Sequence, residues 1–318
     1  MKKFVAIIVG GTGQFGFNLS ELLIKKKYKV IITTRSKKSK KKIINYYNKK
    51  IIFQNLDIYN KNQIHILLKK YVPNEVYYFA GQSSVSKSFN QKMETHRSNF
   101  NGCKNFLETI YKNKFNTKFI NASSCEIFGK TSGKIKLISK KNPVSPYGQA
   151  KLHSFNITKK YRDKFRVKSY NSIIFNTESY LRDKSYLIPK ICIASIKAKK
   201  TGLKTEFGNL NISREWNWCS EQVSSLHGFV KKAPQDFILS NGKNYSALQM
   251  LKFSFQYFKL DYKKYISINK KFFRKTDTKV KKSDWQHSLK INNLKREPKI
   301  FGKKIIIRLI QFYLNEQK

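Results

Sequence analysis

Tyr147 and Lys151 are the pair of residues in this sequence with the clearest catalytic potential. Ser145 and Pro146 precede them and are typical of a helix start, which predicts that the two side chains lie one turn apart on the same helix face. A tyrosine is a poor base with a pKa of about 10, but a neighbouring ammonium stabilises the phenolate and lowers that pKa. The pair could therefore act as a base, although the same spacing alone is common on surface helices.

A second candidate lies about 23 residues earlier, where residues 122–129 read Ala-Ser-Ser-Cys-Glu-Ile-Phe-Gly. This segment ends a predicted buried strand, so Ser124 and Glu126 should lie at the carboxyl end of that strand. A carboxylate held there could transfer protons. The alternative is a structural carboxylate that bonds a backbone turn, because a buried glutamate without a partner or a role is costly.

A glycine-rich loop occupies residues 10–16, with the sequence Gly-Gly-Thr-Gly-Gln-Phe-Gly. Glycines at positions 10, 13 and 16 permit a tight turn, close approach of the backbone to a pyrophosphate, and close packing of the following helix. The loop directly follows a predicted strand and opens a predicted helix. That context favours a dinucleotide-binding loop over an ordinary strand–helix turn.

The end of the second predicted strand bears on which dinucleotide binds. Arg35 and Ser36 lie where an NAD-binding fold places an acidic residue that holds the ribose hydroxyls. A carboxylate would repel a 2′-phosphate, whereas an arginine would attract it, so we expect NADP, with NAD as the alternative. Asp57 and Ile58, after the third strand, are placed to meet the adenine ring; otherwise Asp57 is an acid at a helix N-terminus.

The elements that would position these residues alternate short apolar runs with amphipathic segments, the βαβ pattern of a parallel sheet. We predict an α/β fold: a Rossmann-type doubly wound parallel sheet with a smaller C-terminal α/β substrate-binding lobe. Residues 1–176 would form the NADP-binding domain and residues 177–318 the lobe, with some elements around 206–242 returning to the first domain. Predicted strands are 4–9, 30–34, 51–54, 75–80, 118–122, 169–175, 204–207 and 236–239, and predicted helices are 16–26, 63–70, 99–112, 147–165, 246–258 and 303–314.

The charge balance is unusual, with 66 Lys and Arg residues against 18 Asp and Glu and a formal net charge of +48. A phosphate-rich partner would explain this excess. However, Lys, Asn, Ile, Tyr and Phe are all abundant and all have A/T-rich codons, so we favour compositional drift. No nucleic-acid-binding signature accompanies the charge, and nucleic acid is not an expected partner.

Two classes of site are absent from the sequence pattern. The four cysteines and five histidines are scattered without ligand spacing, so we expect neither a disulfide framework nor a metal. No apolar run approaches the roughly 20 residues of a membrane span. We expect a cytoplasmic protein without a membrane partner.

Five short motifs resemble those of one enzyme family. They are Gly-Gln-Phe-Gly at 13–16 for G-Q-D-G, Ser-Cys-Glu-Ile-Phe-Gly at 124–129 for T-S-E-L-Y-G, Phe-Asn-Thr-Glu-Ser at 175–179 for F-N-H-E-S, Gly-Asn-Leu at 208–210 for G-N-L, and Arg-Glu-Trp at 214–216 for R-D-W. With them, the chain resembles an extended short-chain dehydrogenase/reductase of the NAD-dependent epimerase/dehydratase family, closest to the GDP-mannose 4,6-dehydratase branch. The resemblance covers about residues 3–246.

The resemblance implies an NADP-dependent nucleotide-sugar 4,6-dehydratase, a lyase that converts GDP-mannose to GDP-4-keto-6-deoxymannose. Tyr147, supported by Lys151, would take the C4 hydroxyl proton as hydride passes to NADP. Glu126 would take the C5 proton before water leaves from C6, while Ser124 would hold the C4 oxygen. The implied cofactor-binding residues are Gly10, Thr12, Gly13, Gln14, Phe15, Gly16, Arg35, Asp57, Ile58, Ala80, Gly81, Gln82, Ser83, Tyr147, Lys151, Thr177 and Arg182. The implied substrate-binding residues are Ser84, Asn176, Lys190, Arg214 and Arg274, of which Lys190 and Arg274 are otherwise surface charges.

Four positions depart from the family pattern. Ser84 and Thr177 replace histidines, Phe15 replaces an acid, and Pro189 replaces an arginine. The alternatives that stay open are an NDP-sugar epimerase or reductase, a 4,6-dehydratase for dTDP- or CDP-glucose, and a non-enzymatic Rossmann protein that binds nucleotide or RNA. Relatives pair through two long helices, here 99–112 and 147–165, so the resemblance also implies a homodimer or homotetramer.

Overall fold

The computed structural model describes residues 3–35, 47–131, 133–273, 278 and 280–316. Within it the chain forms two compact units. The first comprises Met1–Gly129, Leu137–Ile174 and Val223–Leu239, and the second comprises Lys130–Lys136, Phe175–Gln222 and Ser240–Lys318. The sequence places the boundary at residue 176 with a return around 206–242; the cofactor and substrate roles assigned to the two parts stay predictions.

The strands and helices of the described ranges are numbered in chain order. Strands β1 to β15 are Val5–Val9, Lys29–Thr34, Ile52–Asn55, Glu75–Tyr78, Lys118–Ser124, Lys134–Ile135, Ser169–Ile174, Thr177–Glu178, Thr205–Phe207, Ser213–Arg214, Asn217–Trp218, Asp236–Leu239, Tyr245–Ser246, Ile266–Ile268 and Lys282–Ser283. Helices α1 to α11 are Gln14–Lys25, Lys61–Tyr71, Val85–Asn90, Lys92–His96, Gly102–Lys112, Pro146–Phe165, Leu187–Thr201, Cys219–Val230, Ala247–Tyr257, Trp285–Ile291 and Lys303–Asn315. Shorter turns are a π-helical turn at Arg97–Asn101 and 3₁₀ turns at Cys125–Phe128, Tyr262–Lys264 and Lys270–Phe272.

The first unit is built on a parallel sheet that, in the described ranges, has seven strands in the order β12-β7-β5-β4-β1-β2-β3. Apart from β3, its strands are buried along nearly their whole length, as in a sheet whose two faces are both covered by helices. The strand order reverses between β1 and β4. In open parallel sheets, ligands bind at the carboxyl ends of the strands where the order reverses, so the glycine loop after β1 lies at the expected place.

Apolar side chains form a separate core in each unit. In the first unit, Ile7, Val76 and Phe119 on the sheet are fully buried and share a cluster with Phe106 of α5. In the second unit, helices α7, α9 and α11 pack against one another. Their apolar faces form its core, which includes Ile191, Leu251, Ile305, Leu309 and Ile310. The two cores give each unit its own source of stability.

Among the differences from the sequence-based prediction, three concern a helix start, a strand end and an unpredicted helix. The helix predicted over 99–112 starts with the π-helical turn Arg97–Asn101, and regular helix begins at Gly102. The strand predicted to reach residue 80 ends at Tyr78, ahead of Gly81, whose φ is +138°. The sequence does not predict α7, which carries Pro189 in its first turn, where a missing N–H removes no helical hydrogen bond. No helix in the described ranges is both long and apolar enough to cross a membrane.

Candidate active site

Ser124 and Glu126 lie at the carboxyl end of β5, in the first unit. Ser124 ends the strand, and its Oγ accepts a hydrogen bond of 3.2 Å from the backbone N–H of Glu126. That bond leaves the Ser124 hydroxyl hydrogen to be donated to another oxygen. Glu126 is half-buried, not fully buried as expected, because it lies in the 3₁₀ turn after the strand and not within the strand.

Tyr147 and Lys151 lie on the first turns of α6. Ser145 caps this helix by accepting a 3.0 Å hydrogen bond from the N–H of Gly148, and Pro146 occupies its first position, as the sequence predicts. The Lys151 Nζ lies 5.8 Å from the centre of the Tyr147 ring. Helix α6 therefore places the amine beside the phenol.

Burial controls the proton affinity of Lys151. The side chain is buried, and its Nζ donates a 2.7 Å hydrogen bond to the carbonyl of Ala122 on β5. Burial lowers the pKa of Lys151 to about 8, with the thiol of Cys103 acting in the opposite direction. At neutral pH the amine therefore keeps its proton and can stabilise a phenolate at Tyr147.

The two segments that carry the predicted catalytic residues approach each other through backbone atoms. A Cβ at Gly148 would lie 2.7 Å from the carbonyl oxygen of Glu126, closer than real Cβ contacts. Likewise, a Cβ at Gly129 would lie 1.8 Å from the carbonyl oxygen of Asn142, in the loop before α6. Glycines at these two positions bring the turn with Glu126 against the helix that carries Tyr147.

The glycine loop has the features that a dinucleotide pyrophosphate requires. Gly10 has a φ of +74°, and a Cβ there would lie 2.6 Å from the backbone of Ala80. A Cβ at Gly16 would lie 2.2 Å from the carbonyl oxygen of Gly11, so the helix packs closely on the loop. Gly13 caps α1 without a side chain, and a Cβ there would meet just the Gly10 carbonyl oxygen, at 3.7 Å, among the described atoms. Among the described residues, no side chain caps the N-terminus of α1 at Gly13, which fits a diphosphate there.

Tyr47 contacts this loop and is a residue that the sequence analysis did not find. Its hydroxyl donates a 2.5 Å hydrogen bond to the carbonyl of Gly11. The buried ring makes edge contacts with Phe17 of α1 and Phe53 of β3. Because 36 residues separate Tyr47 from Gly11, no local sequence pattern marks the pair.

The segment Ala80–Ser84 follows β4 and bonds to the π-helical turn. A Cβ at Gly81 would lie 2.5 Å from Oδ1 of Asn99, and the Asn99 Nδ2 donates to the carbonyl of Gln82 at 3.0 Å. The Gln82 side chain in turn bonds both the N–H and the carbonyl of Ser84. The Ser84 hydroxyl caps α3, so this predicted substrate residue has a structural contact already.

The residues predicted at the adenosine end lie after β2 and β3. Arg35 forms an ion pair of 3.2 Å with Glu94 of α4. Asp57 accepts a 2.9 Å hydrogen bond from the N–H of Tyr59, and Asn60 caps α2 in its place, so Asp57 is not the helix cap. Ile58 lies against Gly102, where a Cβ would be 2.8 Å from its Cδ1. These contacts leave the adenine-binding role of Asp57 and Ile58 a prediction.

Thr177 and Arg182 lie in the second unit. Thr177 is buried in β8, and its hydroxyl donates to the carbonyl of Phe175 at 2.9 Å. The Arg182 guanidinium stacks 3.6 Å from the centre of the Tyr186 ring, with its Nε 3.9 Å from Glu178. Glu178 is a further buried group that the sequence analysis passed over, and burial raises its pKa to about 7.

The predicted substrate residues of the second unit make contacts with its backbone. The Asn176 carbonyl accepts bonds from the N–H and the side chain of Asn217. Lys190 donates to the carbonyl of Glu206 at 2.7 Å, and the buried Arg214 donates to the carbonyl of Thr278 at 2.8 Å. Arg274 lies outside the described residues.

Comparison with known proteins identifies related sequences. Residues 7–297 match the family described as GDP-mannose 4,6 dehydratase. GDP-mannose 4,6 dehydratase 1 of Arabidopsis thaliana is 27% identical over 322 residues, which cover 96% of this chain and 88% of that protein. A GDP-mannose 4,6-dehydratase of Vibrio cholerae is 30% identical over 268 residues, covering 80% of this chain and 72% of that protein.

Solved structures resemble this one in fold. UDP-glucuronic acid 4-epimerase from Bacillus cereus superimposes with a TM-score of 0.86 at 16% identity, covering 98% of this chain and 100% of that chain. DesIV, a dTDP-glucose 4,6-dehydratase from Streptomyces venezuelae, superimposes with a TM-score of 0.86 at 15% identity, covering 99% and 98%. The predicted Rossmann-type α/β fold is confirmed.

Proposed function

Because the chain belongs to the GDP-mannose 4,6 dehydratase family, we propose that it is a nucleotide-sugar 4,6-dehydratase that converts GDP-mannose to GDP-4-keto-6-deoxymannose. The observation that carries the proposal is the contact between the turn bearing Glu126 and the helix bearing Tyr147. This contact supports a carboxylate and a phenol that act on the same sugar. The proposed reaction requires both, because protons leave the C4 hydroxyl and the adjacent C5.

The first step is the oxidation at C4. Tyr147, as a phenolate stabilised by Lys151, takes the proton of the C4 hydroxyl. The redox chemistry, acceptance of hydride from C4 and its later return to C6, would be supplied by a nicotinamide cofactor when one is bound. Gly10, Gly13 and the open N-terminus of α1 would hold its diphosphate.

The second step is the loss of water. The new C4 ketone acidifies the C5 proton, which Glu126 removes, while the Ser124 hydroxyl donates a hydrogen bond to the C4 oxygen. The C5 proton and the C6 hydroxide leave together as water. Return of hydride to C6 is accompanied by protonation of C5, which balances the proton that Tyr147 took from the C4 hydroxyl. The sugar loses one water, and the reaction has no net oxidation or reduction.

We propose NADP as the cofactor, with NAD as the weaker ligand. Arg35 supports this choice, since it follows β2 where NAD-binding folds place an acid. Thr177 and Arg182 are proposed as further cofactor contacts, and Asn176, Lys190, Arg214 and Arg274 as substrate contacts. Asn176, Thr177 and Arg214 lie on family motifs that support these roles, whereas Arg182, Lys190 and Arg274 are proposed from their alignment with the family alone.

Assembly and compartment complete the proposal. A homodimer formed through α5 and α6, or a homotetramer built from such dimers, fits the family resemblance. The four cysteines are buried and none of them forms a disulfide, which agrees with a reducing compartment such as the cytoplasm. Light scattering at physiological salt tests the assembly, and a monomer would contradict it.

An NDP-sugar epimerase is the second candidate, since an epimerase also has this fold. Mass spectrometry separates the two after incubation with GDP-mannose, dTDP-glucose or UDP-glucose and catalytic NADP. Loss of one water from one substrate without net consumption of cofactor would support the dehydratase and name its nucleotide. Unchanged mass with altered chromatographic mobility would support the epimerase. Substrates that all return unaltered would overturn both.

A further inference from the structure

Glu94 is an acidic side chain at the end of the site where an NADP-binding protein needs positive charge. Its Oε1 lies 3.2 Å from Nη1 of Arg35, the residue proposed to attract a 2′-phosphate. The two side chains are 39% and 70% exposed, so the pair is accessible to a ligand and is not sealed inside the protein. Only 18 of the 318 residues are acidic, against 66 that are Lys or Arg, so a carboxylate at this position is unusual for this chain.

Neighbouring contacts place Glu94 at the adenosine end of the site. The Tyr59 hydroxyl donates to Oε2 of Glu94 at 3.4 Å, and Tyr59 is bonded to Asp57, the residue predicted to meet the adenine. The Arg97 guanidinium lies 4.5 Å from the centre of the Tyr59 ring. One carboxylate therefore lies among two guanidinium groups and a phenol, where a ribose 2′-substituent would approach Arg35.

We propose that Glu94 is a specificity-determining residue for the cofactor. Its carboxylate holds the Arg35 guanidinium and opposes the negative charge of a 2′-phosphate, so the preference for NADP over NAD is weaker than Arg35 alone would give. The inference rests on the proposed function, because it requires dinucleotide binding by the first unit. The inference assigns part of the discrimination between NADP and NAD to a residue of α4, whereas the sequence pattern predicts it at the end of β2.

The test is isothermal titration calorimetry of the full chain with NADP and with NAD, for the wild type and Glu94→Gln. Glutamine keeps the size and an acceptor oxygen but removes the charge. A 2′-phosphate carries nearly two charges, so the ratio of the NAD Kd to the NADP Kd should rise about tenfold at low salt and less at high salt. Glu108→Gln is the matched control, since it removes the same charge from α5, where Glu108 pairs with Lys61 and Lys104.

The outcomes separate the inference from the proposed function. An increase of the ratio in Glu94→Gln with no change in Glu108→Gln supports the role of Glu94. If both dinucleotides bind and the ratio is the same in wild type and Glu94→Gln, the inference is overturned and the proposed function stands. A wild-type protein that binds neither dinucleotide would overturn both.

Discussion

The carbonyl oxygen of Glu126 lies so close to Gly148 that a Cβ on residue 148 would be only 2.7 Å away from it. The residue next to the proposed base Tyr147 therefore sets how closely the turn bearing the carboxylate approaches α6. A glycine within a helix normally costs stability of about 0.5–1 kcal/mol relative to alanine. Here the glycine has a positional role that offsets this cost.

Gly148→Ala should lower turnover and stability together. The added methyl must displace the Glu126 backbone or the Pro143 side chain, which lies 2.9 Å from the same Cβ position. Such overpacking costs about 1–3 kcal/mol, more than the helix propensity of alanine returns. We expect kcat to fall more than KM changes, as measured by steady-state kinetics and thermal unfolding.

Gln149→Ala is the control for that experiment, because Gln149 is the next residue of α6 and its side chain is exposed. It should leave both quantities nearly unchanged. Gly148→Ala with full turnover and a raised Tm would show that the two segments do not depend on the glycine.

Glu126→Gln should block the loss of water while leaving the oxidation at C4 possible. An amide cannot take the C5 proton, and a positioned general base contributes about 10²–10⁴-fold. Mass spectrometry should find the substrate mass unchanged, and absorbance should show reduced cofactor accumulating after mixing. A variant that still releases water at the wild-type rate would make Glu126 a structural residue.

Lys151 should make the stability of the cofactor-free protein depend on pH. Its folded-state pKa is about 8, below the ordinary 10.5, so the unfolded chain binds the proton more tightly. The free energy of unfolding contributed by Lys151 is therefore lowest below pH 8 and rises as the pH increases from about 8 to 10.5. Lys151→Met removes this dependence.

Urea unfolding of both proteins across this pH window measures the effect. The stability of Lys151→Met relative to wild type should be greatest near pH 7 and should decline by about 3 kcal/mol towards pH 10.5. Taking the difference between the proteins cancels the titration of other groups. Parallel pH profiles would mean that the buried amine has an ordinary pKa.

Tyr47→Phe should weaken dinucleotide binding indirectly, because the Tyr47 hydroxyl bonds the glycine loop and is not itself proposed to contact the ligand. The lost hydrogen bond to the Gly11 carbonyl is worth about 1 kcal/mol. If binding requires the loop in the conformation that this bond stabilises, the Kd should rise about fivefold. Calorimetry with NADP checks this value. Tyr111→Phe, a change on the exposed side of α5, is the control, and equal Kd values for the two variants would contradict the prediction.

The sequence predicts the strands of the first unit well because most of them, such as Val5–Val9, are short apolar runs between turn signals. It also predicts that Ser124 and Glu126 lie at the carboxyl end of a buried strand and that Ser145 caps the helix with Tyr147, since these are local patterns. It does not predict Tyr47 at Gly11 or Glu94 at Arg35, because those contacts join distant parts of the chain. In the second unit, two-residue strands such as Thr177–Glu178 are too short for any periodicity.

The return of Val223–Leu239 to the first unit has a consequence for synthesis on the ribosome. Strand β12 pairs in parallel with β7 at the edge of the sheet, and Phe237 to Leu239 are fully buried. Until residue 239 has left the exit tunnel, the N-terminal segment has an open edge on β7 that can pair with another nascent chain. A fragment ending at residue 176 would keep that edge permanently, so this Rossmann unit matures only after more than three quarters of the chain has been translated.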